Sequence, residues 1–268
     1  MSLTDGELLA LSSSLQDKVI AITGSTSGIG LSTAKILASH GARLSIAGRD
    51  PAKLAAAHDA LVALAPSPDH VLATGLDVTD APAVDAWIAA TVARFGRLDA
   101  AVNAAGREMP RMAHLVDTDD ATWEQTLAVN LTGVMYCMRA QLRVMAEGGA
   151  IVNVGSTLGS VGLEANAAYC AAKAGLLGLS RSVAREVGGG GDGRRGVRVN
   201  VVSPGFCDTP MLENATAVFG TAFPTVQLSV QKRVSKPHEL AHPIVFLLSP
   251  LASFITGADY HVDGGWLC

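Results

Sequence analysis

The sequence predicts an α/β protein built on a doubly wound parallel sheet of about seven strands, with helices on both faces. Short apolar, β-branched runs recur along the chain, and most lack the polar alternation of a strand with one face in water. Helix-like stretches separate these runs, so successive strands should pair in parallel through right-handed crossovers. No Pro-rich or Ser-rich linker divides the 268 residues, which favours a single domain.

The elements alternate between strand and helix from residue 17 onward. The predicted strands are Val19–Thr23, Leu44–Ala47, Val71–Leu76, Ala100–Val102, Ile151–Val154, Val197–Val202 and Tyr260–Val262. The predicted helices are Leu31–Ser39, Pro51–Leu64, Ala81–Phe95, Thr122–Ala146 and Tyr169–Glu186. We therefore divide the chain into a tail over residues 1–16 and a domain over residues 17–268. A ligand is expected at the carboxyl ends of the strands.

Composition excludes several classes of function. The formal net charge is −4 and the chain has no long basic stripe, so nucleic acid is not an expected partner. No run approaches the roughly 20 apolar residues needed to cross a bilayer, and Asp5 and Glu7 stand where a signal peptide carries positive charge. The four scattered cysteines have no metal-ligand spacing. These features predict a reduced, cytoplasmic protein with no metal and no membrane partner.

Two stretches interrupt the alternation of strands and helices. Gly188–Gly196 is expected to be a surface excursion, because it neither follows a strand nor opens a helix, as a phosphate loop would. Glu213–Lys236 contains Gly220 and Pro224 and follows a strand end. A long irregular loop inside a compact domain is usually functional. We interpret residues 213–236 as a substrate loop, in preference to a merely variable loop.

A glycine-rich turn connects the first strand to the first helix. Glycines let a backbone turn tightly and approach a pyrophosphate, which the amide groups at the helix N-terminus can bind. The turn therefore predicts a Rossmann-like dinucleotide site, and a turn without a ligand is the alternative. The expected cofactor contacts are Gly24, Ser25, Ser27, Gly28, Ile29 and Gly30.

The end of the second strand bears on which nucleotide binds. Gly48 offers no carboxylate to the adenosine ribose, whereas Arg49 can face a 2′-phosphate. This pattern predicts that NADP(H) is preferred and NAD(H) is possible, with Ser25 and Thr26 as further hydroxyl contacts. A solvated Arg49 is the alternative. Asp77, with Val78 beside it, could bind the adenine amino group or could simply cap the following helix.

Three residues near the fifth strand carry the strongest chemical signal. Tyr169 and Lys173 are four residues apart, so on one helix they share a face. An adjacent ammonium stabilises a phenolate and is expected to lower the pKa of Tyr169 toward useful acid–base work. Ser156 stands thirteen residues earlier, at a strand end, where it can polarise a substrate oxygen.

Taken together, these motifs make the chain resemble the short-chain dehydrogenase/reductase family over roughly Lys18 to Gly265. The resemblance implies a hydride-transfer enzyme in which Tyr169 is the general acid/base and Ser156 orients the carbonyl or hydroxyl group. Lys173 would bind the nicotinamide ribose and tune Tyr169. The motifs are residues 23–30, Asp77, residues 103–106, Asn130, Ser156, residues 169–173, residues 204–205 and Thr209.

Further roles follow from the same resemblance. Asn130 would hold a water in a proton relay, and Asn103 would line the adenosine side of the cofactor. Ala104 and Gly106 of the same motif are also expected contacts, although Ala104 lacks the amide that can tie neighbouring strands. The nicotinamide carboxamide would be held by the turn that contains Pro204, Gly205, Cys207 and Thr209.

A competing motif is present near the C-terminus. The segment His238–His242 matches the H-E-x-x-H pattern of zinc proteases. Pro243 follows it directly, where it removes a helical hydrogen bond, and no third ligand is evident. We therefore expect no zinc here. Cys170 and Cys207 are interpreted as small core-type residues.

The sequence thus predicts an oxidoreductase that acts on a secondary alcohol or ketone. A non-redox epimerase or dehydratase and a silent nucleotide-binding scaffold are the alternatives. Arg107–His114, Thr157–Leu163 and the 213–236 loop are the expected substrate pocket, and their apolar residues indicate a medium-sized, fairly apolar substrate. Those residues are Met109, Met112, Leu158, Val161, Leu163 and Phe223. The small residues of Tyr169–Glu186 predict a homodimer or homotetramer.

Overall fold

The computed structural model describes residues 14–189, 196–219 and 228–268. Within these ranges seven strands form one parallel sheet. The strands are β1 (Val19–Thr23), β2 (Arg43–Gly48), β3 (Val71–Gly75), β4 (Leu98–Asn103), β5 (Met145–Val154), β6 (Arg198–Pro204) and β7 (Asp259–Val262). Their order is β3-β2-β1-β4-β5-β6-β7, so the order reverses between β1 and β4. The doubly wound sheet predicted from the sequence is confirmed.

The helices that connect these strands cover both faces of the sheet. They are α1 (Gly28–Ser39), α2 (Pro51–Val62), α3 (Ala81–Phe95), α4 (Asp120–Leu127), α5 (Gly133–Val144), α6 (Ala167–Val187), α7 (Pro210–Phe219) and α8 (Pro237–Leu248). Helices α1, α2 and α8 pack on one face, and α3, α5 and α6 pack on the other. No helix in the described part of the chain is both long and apolar enough to span a membrane.

Alternate residues of each central strand enter different cores. Ile20 and Ile22 of β1 pack with α1 and α8, whereas Val19 and Ala21 pack against the opposite layer. Each isoleucine is fully buried, which is worth about 1.5–3 kcal/mol per side chain. A strand covered on both faces is mostly apolar along its length, and this explains the apolar runs in the sequence.

The predicted helix Thr122–Ala146 is wrong as one continuous element. Helix α4 is followed by a π-helical segment, Ala128–Thr132, then by α5, and Met145 already belongs to β5. Gly133 packs tightly against Val78, since a Cβ at position 133 would be 2.8 Å from Cγ2 of Val78. Single π-turns of this kind occur frequently at functional sites.

The irregular segments also differ from expectation. Glu213 lies in α7, so the first part of the predicted substrate loop is helical. Gly220, Phe223 and Pro224 lie outside the described residues, as does most of Gly188–Gly196. Leu15 is 2% exposed and packs in the core with α1, so the packed domain includes part of the segment 1–16 that we assigned to a tail.

Candidate active site

A cavity of about 420 Å³ lies at the carboxyl ends of the strands, where their order reverses. Nearly all of the predicted site residues line it. They are Gly24, Ser27, Gly28, Ile29, Gly30, Arg49, Asp77, Val78, Ala104, Gly106, Ser156, Tyr169, Lys173, Pro204, Gly205, Cys207 and Thr209. The side chains of Ser25, Asn103 and Asn130 do not line the cavity, and each has a different task.

The glycine turn forms a cradle that larger residues would fill. Gly24 has φ +65°, and a Cβ there would be 2.5 Å from the carbonyl oxygen of Ala104. A Cβ on Gly30 would collide with the carbonyl oxygen of Gly24. Ser27 precedes α1 in an extended conformation and its side chain caps no amide, so the first amide groups of the helix remain available. The cradle therefore fits the pyrophosphate of a dinucleotide.

Two neighbouring hydroxyl residues of the turn have different roles. The Ser25 hydroxyl is fully buried, donates to the carbonyl of Ala47 at 3.2 Å and accepts from its amide at 3.1 Å. The predicted contact of the Ser25 hydroxyl with the cofactor is therefore wrong, because the hydroxyl is tied to β2. Thr26 does line the cavity, and its Cγ2 occupies the space into which a Cβ on Gly48 would project.

Asp77 and Arg49 line the part of the cavity that lies beyond the ends of β2 and β3. The Asp77 carboxylate accepts hydrogen bonds from the Thr79 amide at 2.9 Å and the Thr79 hydroxyl at 2.8 Å. Asp80, and not Asp77, caps α3 through the amide of Ala83. Burial opposes ionisation of Asp77, but the Thr79 hydrogen bonds and the charge of Arg49 hold its pKa below the ordinary value. The exposed Arg49 therefore lies near a carboxylate.

At one end of the cavity, which we call the chemical end, Ser156 after β5 lies beside Tyr169 and Lys173 of helix α6. The Ser156 hydroxyl accepts from the amide of Leu158 at 3.1 Å and is hydrogen-bonded to Tyr169. Lys173 is 4% exposed, and its Nζ donates to the carbonyl of Val154 at 2.9 Å. The same Nζ lies 5.7 Å from the centroid of the Tyr169 ring. The predicted grouping of Ser156, Tyr169 and Lys173 is thus present in the structure.

The pKa of Tyr169 shifts in the direction opposite to our expectation. Burial raises it to about 12, although the hydrogen bond with Ser156 opposes this rise. Burial also lowers the pKa of the Lys173 ammonium to about 8. Both shifts follow from the cost of placing a charge away from water. The expected net lowering by Lys173 is therefore not found, because desolvation of the phenol is the largest influence on the pKa of Tyr169.

Asn130 lies in the π-helical segment and supports the loop after β4. Its amide group donates to the carbonyl of Arg107 at 3.0 Å and to that of Thr126 at 2.9 Å. Its Oδ1 accepts from the amide of Arg107 at 3.2 Å. Both amide hydrogens are therefore committed to the protein backbone. Asn130 fixes the chain beside Gly106, where a Cβ would be 3.1 Å from Oδ1.

Asn103 belongs to a buried amide network and not to the cavity wall. Its Nδ2 donates to Oδ1 of Asn153 at 2.9 Å and to Oε1 of Gln141 at 3.1 Å. Gln141 returns a hydrogen bond to Oδ1 of Asn103 at 2.9 Å, and Asn153 donates to Ser180. The side chain of Asn103 is therefore unavailable for the adenosine contact that we predicted. It ties β4 to β5, a task for which Ala104 has no polar group.

The turn after β6 closes the cavity from the other side. A Cβ on Gly205 would be 2.9 Å from Cα of Asp263. Cys207 is buried, which raises the pKa of its thiol to about 11 and fits the interpretation as a core-type residue. The Thr209 hydroxyl donates to the carbonyl of Cys207 at 3.2 Å, and Thr209 Cγ2 packs close to Gly28. The turn and the glycine cradle therefore face each other.

The substrate end has residues that sequence reasoning missed. Met109, Met112 and Leu158 line the cavity as predicted, whereas Val161 and Leu163 do not. The cavity is also lined by Glu108, which lies within the predicted range Arg107–His114, and by residues outside the predicted ranges, which are Asn166, Phe206, Met211, Leu212 and Trp266. The Phe206 and Trp266 rings stack with centroids 4.9 Å apart and planes at 14°. No local pattern marks these residues, because they come from four separate segments that only the fold brings together.

The H-E-x-x-H segment has a structural role at the start of α8. Arg233 holds the Glu239 carboxylate through two hydrogen bonds of 2.7 Å, and the Lys236 amide adds a third. Helix α8 continues past Pro243. Among the residues that the structure describes, no group of three side chains is arranged to hold a metal ion.

Comparison with known proteins agrees with this geometry. A family model described as enoyl-(acyl carrier protein) reductase matches residues 24–267. A short-chain dehydrogenase/reductase, aba4, from Botryotinia fuckeliana is 43% identical over 263 residues, which cover 94% of this chain and 97% of that protein. Cis-4-hydroxycyclohexanecarboxylate dehydrogenase from Sinomonas cyclohexanicum is 39% identical over 252 residues, which cover 93% and 96% of the two chains.

Solved structures give the same result. The crystal structure of levodione reductase has a TM-score of 0.86 and 35% identity, and the match covers 93% of this chain and 97% of that one. The family match begins at Gly24 of the glycine turn and includes Ser156, Tyr169 and Lys173. Named relatives over this length are dehydrogenases and reductases. The chain therefore belongs to the short-chain dehydrogenase/reductase family and is an NAD(P)-dependent oxidoreductase.

Proposed function

We propose that this enzyme transfers a hydride between NADP(H) and a secondary alcohol or ketone, with NAD(H) as a weaker alternative. The observation that carries the proposal is the convergence of Ser156, Tyr169 and Lys173 at one end of a single cavity, with the glycine cradle at the other. A dinucleotide laid along this cavity would place its pyrophosphate at the cradle. Its nicotinamide would then lie beside the turn at residues 204–209.

The side chains at the chemical end can carry out the proton transfer that accompanies hydride transfer. A bound nicotinamide supplies or accepts the hydride. Tyr169, whose pKa is about 12, keeps its proton at neutral pH and can donate it to a carbonyl oxygen. Ser156, hydrogen-bonded to Tyr169, is placed to hold the same oxygen. Lys173 is mostly protonated at pH 7, so its charge stabilises the phenolate that remains and can also serve the ribose hydroxyls.

Three residues support a preference for NADP(H). Thr26 fills the space beside Gly48, so no carboxylate meets the ribose hydroxyls there. Arg49 lines the rim of the cavity and can offer its guanidinium to a 2′-phosphate. The nearby charge of Asp77 offsets part of this attraction. We therefore propose a preference of about tenfold to a hundredfold, which corresponds to about 1.4–2.8 kcal/mol.

The shape and lining of the substrate end favour a ring-shaped secondary alcohol or ketone. The stacked rings of Phe206 and Trp266 give a flat surface, and Met109 and Leu158 add adaptable apolar area. One relative is named for a hydroxyl group on a cyclohexane ring, and it is 39% identical to this chain. A medium-sized and fairly apolar substrate of this class fits the cavity.

Replacing Tyr169 by Phe tests the proposal. The variant should bind NADPH as well as the wild type, but oxidation of cyclohexanol and reduction of cyclohexanone should fall by about 10²–10⁴, the usual contribution of general acid–base catalysis. Nicotinamide absorbance gives the rate, and fluorescence titration gives the binding. The control is Tyr136→Phe, since Tyr136 lies on α5 outside the cavity lining.

Three results would contradict parts of the proposal. Turnover by Tyr169→Phe within a few-fold of the wild type would remove Tyr169 from its role. Conversion of a substrate without net change in nicotinamide absorbance would indicate an epimerase or dehydratase. Nucleotide binding without conversion of any alcohol or ketone in a broad panel would indicate a scaffold.

A further inference from the structure

The substrate end of the cavity contains a carboxylate that no described residue pairs with. Glu108 lines the cavity two residues after Gly106, and it makes no hydrogen bond or ion pair with any described residue. Its side chain is half-buried. Its charge is close enough to Tyr169 to oppose ionisation of the phenol. A carboxylate that loses part of its hydration is costly unless a donor replaces the lost water.

A second unpaired acceptor lies in the same wall. Asn166 precedes α6 by one residue and lines the cavity, and its buried Oδ1 has no hydrogen-bond partner. The surrounding lining consists mainly of apolar side chains, among them Met109, Met112 and Leu158. Two acceptors without a partner among the described residues therefore line this part of the cleft, which suits a group that donates hydrogen bonds.

We propose that Glu108 selects substrates that carry a second hydroxyl group, so that the preferred compounds are neutral cyclic diols or hydroxyketones. This inference rests on the proposed function. The reacting oxygen would lie at Ser156 and Tyr169, and the second hydroxyl would donate to Glu108 across the ring. A carboxylate at that position would be repelled by Glu108. An ammonium group at that position would bring a further positive charge into a cavity that already contains the charge of Lys173.

The test compares kcat/KM for four ring compounds with the wild type, Glu108→Leu and Glu108→Gln. The compounds are cyclohexanol, cyclohexane-1,4-diol, 4-hydroxycyclohexanecarboxylate and 4-aminocyclohexanol. The wild type should prefer the diol over cyclohexanol by at least about tenfold, which is about 1.4 kcal/mol. Glu108→Leu should abolish this preference, mainly through KM for the diol. It should change kcat/KM for cyclohexanol much less than kcat/KM for the diol, because cyclohexanol has no second hydroxyl group to donate to Glu108.

The variants Glu108→Gln and Glu147→Gln separate the effect of the Glu108 charge from a general effect on the fold. Glu108→Gln keeps an acceptor without the charge, so it should retain part of the diol preference and improve kcat/KM for the carboxylate compound. Glu147→Gln, at an exposed position outside the cavity lining, should behave as the wild type. Equal diol preference in the wild type and Glu108→Leu would overturn the inference. A preference for 4-aminocyclohexanol over the diol would overturn the choice of a hydroxyl.

Binding decides the inference separately from catalysis. The diol should raise the Tm of the NADPH-loaded wild type and leave that of NADPH-loaded Glu108→Leu unchanged. If no compound is turned over but this difference in Tm is observed, the redox proposal fails and the role of Glu108 stands. If cyclohexanol is turned over and the diol stabilises both proteins equally, Glu108 has no selective role while the redox proposal stands.

Discussion

At the scale of single residues, the buried positive charge of Lys173 destabilises the folded state. Its pKa of about 8 lies below the 10.5 of an ordinary lysine because burial disfavours the ammonium. Between pH 8 and 10.5 the unfolded chain therefore binds more protons at this position than the folded chain does. The stability of the fold should rise with pH across that window and should be insensitive to this residue below about pH 8. The penalty at neutral pH is about 3 kcal/mol.

The variant Lys173→Met should reveal this penalty. Removing the buried charge should raise the free energy of unfolding at pH 7 by about 3 kcal/mol, and losing the hydrogen bond to Val154 should lower it by about 1 kcal/mol. The variant should therefore be more stable than the wild type at pH 7. The difference should shrink as pH rises from 8 to 10.5. Denaturant unfolding across this range provides the measurement, with the exposed Lys35→Met as the control. A difference that does not depend on pH would contradict the low pKa.

Arg49 is the residue on which the proposed preference for NADP(H) rests. Arg49→Ala should raise KM for NADPH by about tenfold to a hundredfold, since each charge-assisted hydrogen bond is worth roughly 1.5–3 kcal/mol before screening. KM for NADH should remain nearly unchanged. Lys53→Ala is a matched control, because Lys53 also lines this end of the cavity. If wild-type enzyme uses NADH as well as NADPH, or if Lys53→Ala has the same effect, the preference does not come from Arg49.

At the scale of elements, the sequence was sufficient for the strands and less so for their junctions. A continuous apolar run identifies β1 because burial on both faces leaves a strong signal. The π-helical segment at residues 128–132 leaves no such signal, since the apolar spacing of the flanking helices runs through it. The end of α5 was also missed, because Met145 looks equally suited to a helix and to β5.

The site shows the same limit at finer detail. Tyr169 and Lys173 could be paired from spacing alone, because one helix fixes both. Ser25 and Thr26 are similar in type, yet one turns into β2 and the other into the cavity, and only the φ and ψ angles of the turn decide this. Glu108 and Trp266 line the same cavity although they are 158 positions apart in the chain, and no local pattern relates them.

At the scale of the whole molecule, helix α6 has a face of small residues that is exposed among the described residues. Ala171, Ala174 and Gly178 of α6 are exposed, and a Cβ on Gly178 would meet no atom within 4 Å. Ala172 instead packs inside the chain. We propose that the exposed face packs against a second copy and that the enzyme is a homodimer or homotetramer.

Gly178→Arg should weaken that association. Light scattering at micromolar concentration should give a dimer or tetramer for the wild type and a smaller species for the variant, with unchanged circular dichroism. Arginine is favoured over glycine in a helix by up to about 1 kcal/mol, so loss of association would not reflect loss of the helix. The control is Ala56→Arg on the exposed side of α2. A monomeric wild type would refute the oligomer.

The contact between Thr26 and Gly48 constrains how this lineage could change its nucleotide. An acidic residue at position 48 is the simplest route toward NAD(H), but its Cβ would collide with the Thr26 methyl group. The two positions are therefore epistatic: a smaller residue must appear at position 26 before a carboxylate at position 48 can be accommodated. Ancestral sequences with a carboxylate at position 48 should accordingly differ from this one at both positions, with the change at position 48 on the older branch, because threonine at position 26 fits only after that carboxylate is lost.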